Sequence, residues 1–292
     1  MNGAAASAPP ARKPRSNLQI RILSAIVLAI VVFGATWLGG IAFRIFAVAM
    51  GLAIFREWLG MTLRREDVVL RRVGWLFMLA AAGVILSGAP AAPAGWMFGS
   101  VAMATLLGGA AGLAARRGIA LGSGIAYAGL PMASLALLRG VDLPGMIAIA
   151  FLLATVWATD IFAYFAGRRV GGPKLAPRIS PNKTWSGAIG GAVAAVVAGA
   201  AIFALVGHPA PAWIALGLAM LLSVVAQAGD LLESAVKRHF GVKDSGGMIP
   251  GHGGVMDRFD GLVTAAVVLY MVGAVVGSAD VPSVGLFSAI GQ

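Results

Sequence analysis

The chain has 292 residues, 59% of them hydrophobic and only 11% charged, with a mean hydropathy of +0.90. That composition excludes an ordinary soluble domain, and the absence of cysteine excludes a disulfide framework and a thiolate metal site. The formal net charge of +11 is either a membrane-topology signal or a mark of anionic partners, and the placement of the charges decides.

The first 17 residues are rich in Ala, Pro and Arg, carry Arg12, Lys13 and Arg15, and read as a disordered basic tail. A bilayer core of roughly 30 Å needs about 20 apolar residues per helix, and Ile20 to Leu38 is the first such stretch. It has no clean small-residue cleavage site and reads as a retained anchor rather than a signal peptide. Ile41 to Phe55 is shorter and carries Arg44, and Glu57 to Arg72 follows as a charged connector. Further spans are predicted over Val73–Ser87, Ala94–Ala114, Ile119–Leu138, Pro144–Phe165, Trp185–Val206, Trp213–Leu232 and Gly261–Ala279. The expected fold is therefore all-α, a polytopic membrane helical bundle of about nine helices. Its parts are the tail 1–17, N-terminal helices over 18–143, and a C-terminal region over 144–292 with polar loops 166–184 and 233–260.

Nine spans with the N-terminus inside place 20 of the 22 basic residues on one side, leaving only Arg44 and Arg139 on the other. This is the bias of cytoplasmic loops, so topology accounts for the positive charge and no nucleic-acid module is needed.

There are only eleven acidic residues. Glu57, Glu66 and Asp67 sit among the arginines of the connector and balance them, while Asp142 and Asp280 fall at outer span ends. Asp160 lies inside an apolar span, where a carboxylate is a functional candidate by default; a helix-capping or interhelical hydrogen bond is the alternative. Asp230 and Glu233, with Ser234 and Lys237, share one face of a helix reaching the interface. Asp257 and Asp260 share another face at the start of the last span, a place the helix dipole alone favours for acids.

The segment 234–260 is the chain's densest polar stretch. Lys237, Arg238, Lys243 and Arg258 can neutralise a polyphosphate. Ser245-Gly246-Gly247 and Gly251-His252-Gly253-Gly254 can offer backbone N–H groups as anion nests. Carboxylates at one helix start, joined by one from a neighbouring span, can hold Mg²⁺, which takes few carboxylates plus waters and substrate phosphates. No Walker A, HExxH or GxSxG run occurs. The segment therefore points to nucleotide chemistry at a membrane surface.

The run Ser234, Lys237-Arg238, Lys243-Asp244, Gly246, His252-Gly253-Gly254, Asp257-Arg258 and Asp260 resembles the signature of the phosphatidate cytidylyltransferases, or CDP-diacylglycerol synthases, without gap or substitution. Upstream, Trp157-Ala-Thr-Asp160 with Tyr164 and Gly167, Ser180-Pro-Asn-Lys183-Thr-Trp185, and Gln227-Ala-Gly229-Asp230 look like the same family. The likeness covers about Trp157 to Gly261; one departure is Ser186, where a longer polar or acidic side chain is expected.

The resemblance implies transfer of CMP from CTP to phosphatidic acid, giving CDP-diacylglycerol and pyrophosphate at a bacterial inner membrane. It further implies Mg²⁺, with K⁺ a candidate second cation, held by Asp230, Asp257 and Asp260. Lys237, Arg238, Lys243 and Arg258 would bind phosphates, and Asp160, Lys183, Asp244, Ser245, Gly253 and Gly254 would line the substrate site. His252 would assist pyrophosphate departure as an acid, hydrogen-bond a phosphate, or brace its loop. Small residues in the spans are compatible with a homodimer.

Three other functions are weighed. A CTP-dependent lipid or polyprenol kinase would need the same nucleotide grip. A CDP-alcohol phosphotransferase would carry a DGxxAR run that is absent here. A cation-coupled transporter would place its acids at mid-bilayer among internal repeats.

Overall fold

Runs of apolar residues without internal charge have one stable solution in lipid, the helix, because it satisfies its own backbone groups. The computed structural model describes residues 17–87, 94–207 and 211–287, so the basic tail lies outside the described residues. Among the described residues ten helices follow in order: α1 Asn17–Leu38, α2 Gly40–Thr62, α3 Val68–Leu86, α4 Ala94–Ala114, α5 Ala120–Arg139, α6 Leu143–Val170, α7 Trp185–Leu205, α8 Ala212–His239, α9 Met256–Val276 and the short α10 Pro282–Phe287. Eight of them, all but α2 and α10, are long and apolar enough to cross a membrane.

Successive helices run up and down, so the bundle has two ends. At one end Trp58 of α2 donates its indole N–H to the carbonyl of Ala120 at 2.8 Å and stacks on Tyr127, 5.3 Å between centroids. Nearby, Arg117 donates to Asp67 at 2.8 Å. Partial burial pushes the Asp67 carboxyl up, but Arg117 and the Arg64 backbone N–H outweigh it and hold the group below its usual range. At the opposite end Arg139, 3% exposed, donates to the carbonyls of Thr36 at 2.6 Å and Asp142 at 3.1 Å. Asp142 in turn caps α6, accepting from Gly145 N at 2.9 Å. Asp280 accepts from Ala94 N.

α5 is the central helix, with 78% of its apolar stretch buried, against 6% for the peripheral α1. Around it Phe43, Ile54 and Phe55 of α2, Met132 of α5, Phe151 of α6 and Leu269 of α9 form a continuous core. α6 and α7 meet backbone to backbone. A Cβ on Gly187 would sit 2.8 Å from the Ala163 carbonyl, and one on Gly191 would sit 2.7 Å from that of Thr159. Small residues in phase on both helices allow this backbone contact.

Several element boundaries differ from the expectation: α3 starts at Val68 rather than Val73, and α9 at Met256 rather than Gly261. α2 continues to Thr62, so Glu57 is helical rather than the start of a connector, and it is buried. α6 and α8 each have 28 residues, about 42 Å at 1.5 Å per residue, so they outrun a hydrocarbon core of roughly 30 Å. Their ends therefore shorten the two polar loops to residues 171–184 and 240–255. The first loop contains an antiparallel hairpin, β1 Lys174–Ala176 with β2 Ser180–Thr184.

Candidate active site

The helix ends that gather beside α8 place polar residues around one cavity of about 750 Å³. α6 contributes Asp160, Tyr164 and Arg168, which recur at four-residue steps along one helical stripe. The hairpin contributes Lys174, Asn182 and Lys183; α8 contributes Gln227 and Asp230; α9 contributes Asp257, Arg258 and Asp260. Four acidic and four basic side chains thus face one space, a mixture suited to an anionic ligand that arrives with a cation.

The local reasons are visible in each element. Thr184 ends the hairpin and caps α7, accepting from Gly187 N at 3.1 Å. Ser186, the position where a longer side chain is expected, donates to the carbonyl of Gly171 and closes the hairpin onto the end of α6. Lys183 is thereby carried across to α8, where its ammonium pairs with Asp230. Gln227, one helical step before Asp230, donates to Ala188 O at 3.3 Å and Ser223 Oγ at 3.2 Å, tying α8 to α7. Asp260 keeps one oxygen on the N–H of Gly261 at 2.6 Å, and Asp160 is open to the cavity rather than packed.

Beside this cavity lies a buried ionic cluster. The Lys237 ammonium sits 2.6 Å from Glu233 Oε2 and 2.7 Å from Asp257 Oδ1. Asp257 also accepts from Ser245 N at 3.1 Å and Gly254 N at 2.9 Å.

Of the residues singled out from sequence, Asp160, Lys183, Asp230, Asp257, Arg258 and Asp260 come together at the cavity. The backbone N–H groups of Ser245 and Gly254, expected to cradle a bound anion, instead cradle Asp257 itself. Gly253 closes the loop on Ile249, whose N–H donates to its carbonyl at 2.9 Å, with a φ of +87° that suits glycine. Arg238, Lys243 and Asp244 are exposed and stand outside the lining; Arg238 donates to the Val242 carbonyl at 3.1 Å. His252 Nδ1 is 2.8 Å from Ser24 Oγ of α1, and its carbonyl accepts from Arg258 Nη2 at 2.8 Å, so it ties the loop to the first helix.

Lys174 and Arg168, counted from sequence only as topology charges, and Tyr164, noted only as part of the family likeness, also line the cavity. The four-residue spacing from Asp160 to Tyr164 to Arg168 was the available signal. Glu57, expected to balance the arginines of the connector, has a different place. Glu57 is 5% exposed, and its carboxylate accepts from Ser245 Oγ at 3.2 Å, Val255 N at 3.0 Å and Met256 N at 2.8 Å.

An α-helical membrane bundle with an acid-lined polar cavity at one end is the class that this fold and site define. Within it, the chain belongs to the cytidylyltransferase family, whose model matches residues 19–276. Over 274 residues it is 48% identical to the phosphatidate cytidylyltransferase of Brucella suis biovar 1 (strain 1330), covering 94% of this chain and 99% of that protein. A phosphatidate cytidylyltransferase of Staphylococcus aureus (strain N315) is 35% identical over 253 residues, covering 83% of this chain and 94% of that protein.

Proposed function

We propose that the chain transfers CMP from CTP to phosphatidic acid, releasing pyrophosphate and CDP-diacylglycerol, at the cytoplasmic face of a bacterial inner membrane. The observation that carries this reading is the meeting of Asp160, Lys183, Asp230, Arg258 and Asp260 in one cavity at a bundle end. The matching relatives, named for this activity, supply the substrates. The basic residues gathered at the same end support the orientation.

The chemistry asks little of a base. A phosphate monoester has a second pKa of about 6, so the phosphatidate oxygen is already an anion. It attacks the α-phosphorus of CTP; the bond from that phosphorus to the bridging oxygen breaks, and the electron pair leaves with pyrophosphate. The barrier lies in bringing two anions together in line, which cationic side chains relieve. Lys183 and Arg258 line the cavity with Lys174 and Arg168, so these four are assigned to the phosphates. Lys237 is assigned to holding Asp257, and the exposed Arg238 and Lys243, beside Asp244, to drawing anionic substrates to the rim. His252 is assigned to bracing the loop through Ser24.

Among the described residues no group of three acidic or histidine side chains is placed to hold a metal ion by itself. Mg²⁺ needs no such group, since one or two carboxylates and the substrate's phosphates suffice. Asp260 fits that role, and so does Asp230 once Lys183, its present partner, turns to the phosphates; Asp257, the third ligand that the resemblance implied, has its oxygens taken by Lys237, Ser245 and Gly254. Bound there, the ion would neutralise phosphate charge, and a second cation such as K⁺ would add to that.

Purified protein in detergent, given α-labelled CTP, phosphatidate and Mg²⁺, is expected to move label into the organic phase. Label from γ-labelled CTP in the lipid instead would identify a lipid kinase and overturn the reading.

A further inference from the structure

Glu57 is a buried acid of α2 that the reaction outlined above does not use, and its sequence distance from the polar loop hides what it touches. It sits 188 residues before Ser245. One carboxylate oxygen accepts from Val255 N at 3.0 Å; the other accepts from Met256 N at 2.8 Å and Ser245 Oγ at 3.2 Å. Val255 and Met256 open α9, so Glu57 caps that helix from another helix, where unpaired N–H groups and the dipole favour an anion.

Ser245 joins Glu57 to the cavity: its hydroxyl goes to Glu57, while its backbone N–H goes to Asp257. Two loop glycines exist for the same contact. A Cβ on Gly246 would lie 2.7 Å from Glu57 Oε1, and one on Gly254 would lie 2.7 Å from Glu57 Oε2.

We infer that Glu57 is a positioning residue: it sets the 245–256 loop and the first turn of α9, and through them the placement of Asp257, Arg258 and Asp260. The inference rests on the reading of this cavity as the CTP and phosphatidate site. Glu57 itself touches no substrate. Its carboxylate fills the loop from inside, which is why the glycine-rich run must leave room for it.

The test compares Glu57→Gln with the unaltered protein by kinetics, thermal midpoint in detergent and amide hydrogen exchange. Glu57→Gln keeps the shape but turns one acceptor into a donor facing an N–H group. The expected result is a kcat lower by about ten- to a hundredfold, the equivalent of one orphaned buried donor. The KM for CTP should stay within about threefold, and exchange over 245–256 should accelerate about tenfold or more. The thermal midpoint should fall modestly, as for any orphaned buried donor, while exchange elsewhere holds.

Unchanged kcat and loop exchange would overturn the inference. So would a uniform loss of protection across all helices, which would make Glu57 merely structural. If Glu57→Gln does not fold, Gly246→Ala tests the same contact. Its loss of turnover should be at least tenfold in the unaltered protein and largely absent beside Glu57→Ala; equal losses in both backgrounds refute the contact. If the unaltered protein fails to label lipid, the substrate reading falls, while the exchange comparison still decides what Glu57 does to the loop.

Discussion

The two ends of the bundle bury charge in opposite ways. At the end away from the cavity Arg139 faces the backbone carbonyls of Thr36, Trp37 and Asp142, neutral acceptors that join the α1–α2 and α5–α6 turns. At the cavity end charges face charges: Lys237 between Glu233 and Asp257, and Lys183 against Asp230. A cation on carbonyls has one arrangement and makes a fixed joint. Asp260, with one oxygen on the Gly261 N–H, and Asp160, open to the cavity, keep coordination free for something from outside.

Removing a cavity carboxylate is the strongest way to break this contrast. Asp260→Asn or Asp230→Asn is expected to lower labelled-lipid formation by roughly 10²- to 10³-fold, on the scale of losing one transition-state electrostatic contact, while the thermal midpoint in detergent holds. Normal turnover in either variant at limiting Mg²⁺ would remove that residue from the metal assignment.

The opposite end should respond in the reverse sense. Arg139→Gln orphans buried carbonyls and is expected to destabilise by about 1–3 kcal/mol, read as a lower thermal midpoint, with kcat of the folded fraction unchanged. A selective loss of kcat would mean the two ends are coupled.

The smallest effect concerns Asp67 at the cavity end. Its carboxyl is held below the usual range, so its ion pair with Arg117 stabilises above the unfolded carboxylate value and is lost as pH falls through the folded one. Asp67→Asn should therefore lower the thermal midpoint slightly at neutral pH, and the difference from the unaltered protein should vanish in acid. A difference that persists in acid would exclude the charge as its cause.

The spans and the polar signature were legible because each is written in contiguous residues: apolar length marks a helix in lipid, and carboxylates three apart share a face. The up-and-down course could be read from the lopsided arginines and lysines. What stayed hidden depends on distant segments meeting. Glu57 sits between Arg56 and Arg64 and so looked like local charge balance. Its place on the buried face with Met50 and Ile54, at three- and four-residue steps, was the clue. The nest-like glycines suggested an external anion, and nothing local says that Asp257 and Glu57 already occupy the loop. The hairpin over 174–184 is too short and too polar to give a strand pattern.

The near-contact of the α6 and α7 backbones at Gly187 and Gly191 has a mechanical meaning. Two helices seated on one another without intervening side chains bend and tilt together. Asp160 on the first and Lys183 at the approach to the second then ride on one stiff plank. Lys183 reaches Asp230 and Gln227 of α8 bonds Ala188, so α8 is fastened to that plank where the carboxylates meet.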